Sequence, residues 1–81
     1  MITCMGLVVG SVTTPDAQDV LNQCARFLKK YKHLLSVPKL QFIIDGVPYC
    51  TVIDTHQEKK EVLFLCELYN GRTMIGTSER H

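Results

Sequence analysis

The chain has 81 residues, 46% of them hydrophobic, and a net charge of +1. That length gives one domain over residues 1–81 with a small core, and that hydrophobic share is too high for a disordered chain. Near-neutrality excludes a global field that would draw the whole molecule to nucleic acid or to a membrane surface. The charge is segregated along the chain, however. Between Val20 and Ile44 stand Arg26, Lys29, Lys30, Lys32 and Lys39 with no acid, leaving four cations against eight acids elsewhere, so the window carries +5 and the remainder −4.

Residues 2–12, "ITCMGLVVGSV", are apolar and largely β-branched, and predict one strand. Gly6 and Gly10 lack the spacing of a phosphate loop, and mark places where another backbone or a helix comes close. With no basic leader and an apolar run broken by these glycines, the segment reads as neither a signal peptide nor a transmembrane span.

"TTPDAQDVLNQCARFLKKYKHLLSVP" carries the helix signal. Thr14 is the expected N-cap with Pro15 in the first helical position, and Asp16 and Asp19 suit the positive end of the dipole. Ala17, Val20, Leu21, Cys24, Leu28, Tyr31 and Leu35 recur at three- and four-residue steps and form one apolar stripe. Lys29, Lys30, Lys32 and His33 fill the last turns, and Pro38 ends the pattern.

Alternating apolar runs follow: "KLQFII", a "DG" turn, "VPYCTVID", a looser "THQEKK" loop, "EVLFLCELY", an "NG" turn and "RTMIGT". Asp-Gly and Asn-Gly between such runs predict two-residue type I′ hairpins. The closing "SERH" reads as frayed. The predicted fold is α+β: one amphipathic helix packed on a four- to five-stranded antiparallel sheet, in the order β-α-β-β-β-β. Two-residue loops pair Ile44 with Val47, Phe42 with Tyr49, Leu68 with Thr73 and Cys66 with Ile75. Setting Asp54 opposite Glu61 joins the hairpins. One face then carries Leu40, Phe42, Ile44, Val47, Tyr49, Ile53, Val62, Phe64, Cys66, Leu68 and Ile75, and takes the helix stripe. The second face carries Ile43, Cys50, Val52, Leu63, Leu65 and Met74, with Tyr69 and Arg72 at its rim. An apolar centre with a polar rim is the pattern of a protein interface.

"VLFLCELYNGRTMIGT" resembles the first motif of Sm-like RNA-binding proteins, with a Leu two residues before Asn-Gly and a Gly five residues after it. The second motif of that family has no counterpart here before His81, so no RNA-binding residue is carried over. The basic residues Arg26, Lys29, Lys30, Lys32, His33 and Lys39 offer either a solvated helix face or a surface for phosphates or an acidic partner. Asp54, His56 and Glu58 alternate in "DTHQE", where a polar turn is favoured over a metal site. Cys4, Cys24, Cys50 and Cys66 show no C-x-x-C or paired Cys/His spacing and read as buried, reduced thiols of a cytoplasmic protein. No nucleophile elbow, H-E-x-x-H, Walker or Rossmann pattern occurs, so neither an enzyme nor a cofactor is expected. The expectation is a small non-enzymatic interaction module, a regulator or inhibitor that binds another protein or itself as a homo-oligomer through the second face. Nucleic-acid binding through the basic helix face is the alternative.

Overall fold

The computed structural model describes residues 1–79. The elements run β1 (Ile2–Cys4), β2 (Leu7–Gly10), α1 (Ala17–Lys30), a 3₁₀ turn (Lys32–Ser36), β3 (Gln41–Ile44), β4 (Val47–Glu58), β5 (Glu61–Leu68) and β6 (Thr73–Thr77). The strands form one antiparallel sheet in the order β2-β1-β3-β4-β5-β6, with α1 packed on one face. The α+β class and the single helix on an antiparallel sheet follow the sequence expectation. The strand count is six because residues 2–12 are not one strand. Met5 and Gly6, both at positive φ, fold them into a hairpin in which Cys4 faces Leu7.

The helix starts later than the sequence suggests. Asp16 is the N-cap, accepting from the Gln18 amide at 2.9 Å, while the Thr14 hydroxyl donates to Asp19. It also ends earlier, at Lys30, and the stretch before Pro38 tightens into the 3₁₀ turn. The buried stripe is Val20, Leu21, Cys24, Ala25, Phe27 and Leu28. Phe27 meets Phe42 edge-on at 6.2 Å between ring centres, and Phe42 lies 6.0 Å from Phe64. These aromatics join helix to sheet at the centre of the core.

Three irregularities bend the sheet: an extra residue at Val9, at Tyr49 and at Ile53. Such bulges increase twist and reset which side chains face inward. Phe42 therefore pairs with Cys50, not Tyr49, and Val52 with Cys66, so Cys50 and Val52 point under the helix. The second β4 bulge turns Ile53 and Asp54 outward.

Most of the "THQEKK" segment, residues 55–58, is strand rather than loop, and only Lys59 and Lys60 form the connection. β4 continues to Glu58, which faces Glu61 across a tight Lys59-Lys60 turn. The Asn-Gly turn also differs from expectation. Only Gly71 has positive φ, the Gly71 amide donates to the Leu68 carbonyl, and the Leu68 amide donates to the Arg72 carbonyl. This is a three-residue loop, Tyr69 to Gly71, and it shifts β6 by one: Cys66 pairs with Met74 and Leu65 with Ile75. Asp45-Gly46 does form the expected two-residue turn, with positive φ at both residues. Ser78, expected to fray, is buried. Its hydroxyl accepts from the Val62 amide at 2.8 Å and donates to Glu61 at 2.6 Å. Arg80 and His81, the rest of that expected frayed end, lie outside the described residues.

The helix also closes one sheet edge. Gln18 Nε2 donates to the Ile75 carbonyl at 2.8 Å and to Asn22 Oδ1 at 2.9 Å, and Asn22 Oδ1 accepts from the Thr77 amide at 3.2 Å. Two amides at i and i+4 thus satisfy backbone groups of β6 that have no strand beside them among the described residues.

Candidate functional site: the uncovered sheet face

The face away from α1 takes its residues from the register. Asp54 stands opposite Leu65, His56 opposite Leu63, Leu65 opposite Ile75, and Ile43 opposite Pro48. A shallow depression is lined by Asp54, His56, Leu63, Leu65 and Ile75. Ile53 is 54% exposed, Ile75 55% and Leu65 36%, while Ile43 and Leu63 are half-buried. Glu67, paired with Thr73 and Thr51, supplies a polar border. Three strands thus present Ile53, Leu65 and Ile75 to solvent, with Leu63 half-buried among them, around one carboxylate and one imidazole.

Of the eight residues read from the sequence as an interface, Ile43, Leu63 and Leu65 are on this face. Tyr69 and Arg72 are exposed in the loop at the end of the sheet. Cys50 and Val52 are corrected to the core, and Met74 to the helix-side face, where it packs half-buried against the core. In exchange, Ile53 and Ile75 move outward. Both swaps have one cause, since a single inserted residue reverses the facing of all that follow. The inserted residue is a bulge in β4 and the third loop residue before β6, and neither leaves a mark in an apolar alternation this continuous.

Asp54, His56 and Glu58 do share one side of an extended strand, with His56 Nε2 3.9 Å from Glu58 Oε2. No group of three or more His, Cys, Asp or Glu able to hold a metal ion occurs among the described residues. All four cysteines are free and buried. Burial pushes the Cys4 thiol up to about 11 and raises Cys24 further. A hydrogen bond to Cys66, together with burial, holds the Cys50 thiol well above its ordinary range. Cys4, Cys24 and Cys50 are thus held in the protonated form, while the same hydrogen bond with Cys50 lowers the Cys66 thiol from its ordinary value.

The basic residues divide among different surroundings. Lys29 Nζ lies 2.8 Å from Glu61 Oε1. That hydrogen bond and one from the Ser78 hydroxyl lower the Glu61 carboxyl from its ordinary value. Arg26 and Lys30 line a groove between α1 and β2, where the Lys30 ammonium sits 5.5 Å from the centre of the Tyr31 ring. Lys32 and His33 are exposed on the 3₁₀ turn, and Lys39 is exposed at positive φ ahead of β3.

The segment resembling the Sm motif forms β5, the loop and β6. β6 is the last strand of an open sheet, sealed by α1. No helix is long and apolar enough to cross a membrane. Comparison of the chain with protein-family models, with curated proteins and with solved structures finds no match.

Proposed function

We propose that this protein is a small non-enzymatic interaction module, a regulator or inhibitor that binds a partner protein or a second copy of itself through the sheet face opposite α1. The observation that carries the reading is the exposure of Ile53, Leu65 and Ile75 around a half-buried Leu63, on the sheet face that α1 does not cover. An antiparallel sheet that meets water on one face normally alternates to polar residues there. Aliphatic side chains kept on that face, with charged residues at the border, match the anatomy of an interface core and rim. The four free thiols fit a reducing compartment, which supports a cytoplasmic location.

Sedimentation equilibrium together with affinity capture from the native host tests the reading. The wild type is expected to self-associate or to retain a defined partner. Leu65→Asp and Ile75→Asp should abolish that association with the far-ultraviolet spectrum unchanged, because both side chains already face water. Met74→Asp, directed at the helix side, should unfold the chain instead. A wild type that sediments as a monomer and retains no partner would overturn the proposal.

A further inference from the structure

The two edges of the sheet are treated differently. At β6 the Ile75 carbonyl and Thr77 amide are met by Gln18 and Asn22. At β2 the edge is open among the described residues. Cys4 and Leu7 flank a two-residue turn as a hydrogen-bonded pair, so the alternation of the ladder turns the Val8 N–H and C=O away from β1 and toward solvent. The groove beside that edge is lined by Val8, Val9, Gln23, Arg26, Phe27 and Lys30, with Tyr31 at its end. The Gln23 amide lies against Gly10, where any Cβ would collide with it. Arg26 has no carboxylate within ion-pairing distance among the described residues, and neither does Lys30.

We propose that this edge docks an extended acidic segment of a partner protein, which adds to β2 as a further strand and sets its carboxylates against Arg26 and Lys30. The chemistry of the groove selects that occupant. A guanidinium, an ammonium, an amide and a backbone N–H point into or border it, and no acid lines it. The spacing also fits. Side chains at i and i+4 on a helix stand about 5–6 Å apart, and alternate residues of a strand repeat at about 6.6 Å. Two carboxylates on one side of an added strand therefore reach both cations while its backbone pairs with Val8. A nucleic-acid strand offers phosphates to the cations, but its sugar-phosphate backbone carries no N–H to pair with the Val8 carbonyl as a strand does. This surface lies at the sheet edge beside α1, apart from the Leu65 face, so the two proposals stand or fall separately.

The test is fluorescence anisotropy with a labelled octapeptide of alternating glutamate and valine, paired with the nuclear magnetic resonance shift of the Val8 amide. Saturable binding with a Val8 shift is expected. Binding should weaken about tenfold or more in Arg26→Glu/Lys30→Glu, and should vanish for a lysine–valine peptide and for a glutamate–valine peptide N-methylated at alternate residues. Circular dichroism checks the double variant. Should it not fold, Val8→Pro, which removes the edge N–H without breaking a ladder hydrogen bond to β1, replaces it and should also weaken binding. Absence of saturable binding by the glutamate–valine peptide overturns the proposal. So does equal binding of the N-methylated peptide, which reads as bare electrostatics. Preferential binding of a single-stranded thymidine oligonucleotide overturns it in favour of nucleic acid.

Discussion

Gly76 shows how closely the helix is pressed onto the sheet. It is buried in β6 beside Phe64, and a Cβ there would lie 2.7 Å from the Leu21 carbonyl oxygen and run into the Phe64 ring. The neighbours that must yield are backbone and a fully buried aromatic, so relief requires moving α1 as a body. Gly76→Ala is expected to cost roughly 1–3 kcal/mol of stability, as overpacking of a filled core does. Gly10 is the matched control. Its Cβ would meet only the end of the Gln23 side chain, which can rotate away. Gly10→Ala should therefore stay within about 0.5 kcal/mol of wild type. Urea titration of the two variants checks the pair. Equal losses would mean that the Leu21 contact is not tight.

At the scale of elements, the most informative contact is between α1 and β6. An exposed strand edge is a template for unwanted pairing, and proteins blunt it with charge, bulges or a covering element. Here the cover is chemical as well as steric, because Gln18 and Asn22 stand in for a neighbouring strand. Gln18→Ala/Asn22→Ala should cost roughly 1–3 kcal/mol, since each hydrogen bond contributes about 0.5–1.5 kcal/mol net. It should also speed hydrogen exchange at the Thr77 amide, while the Ser78 amide, held by the Val62 carbonyl, keeps its protection. Exchange at both amides rising together would point to global loosening instead.

The same contact marks what a reader of the sequence can and cannot see. The apolar period of α1 exposed its buried stripe, and the Asp-Gly pair exposed the β3–β4 turn, because each is a local pattern tied to one geometry. Gln18 and Asn22 gave no such signal, since amides on a helix read as solvated until a strand is placed beside them. The bulges at Tyr49 and Ile53 were equally silent. They exchanged Cys50 and Val52 for Ile53 on the open face, and the third residue of the loop before β6 exchanged Met74 for Ile75, while Leu63 and Leu65, on the unbulged strand β5, were placed correctly from alternation alone.

Across the whole molecule, the four cysteines come from four elements and meet in one layer. Cys4 lies on β1, Cys24 on α1, Cys50 on β4 and Cys66 on β5, and each is almost entirely buried. Burial, and then Cys4 and Cys66, disfavour ionisation of Cys24; the hydrogen bond with Cys66, burial, and then Cys66 and Cys24 disfavour that of Cys50, so Cys24 lies within electrostatic reach of each of the other three thiols. No local opening of one hairpin frees them all, because the layer is bounded by the helix on one side and by strands from both halves of the sheet on the other. A domain this small is expected to unfold as one cooperative unit. The four thiols should then react with a thiol-specific reagent at nearly one common rate in native buffer. That rate should be set by the population of the open state, and so should rise with urea by the same slope at every site. Quenched labelling followed by peptide mapping measures the four rates independently. If Cys4 labels much faster than Cys24, the β1–β2 hairpin opens by itself, and the edge at Val8 belongs to a separately mobile unit. A common rate would instead make that edge a rigid part of the folded core, already positioned for whatever strand it receives.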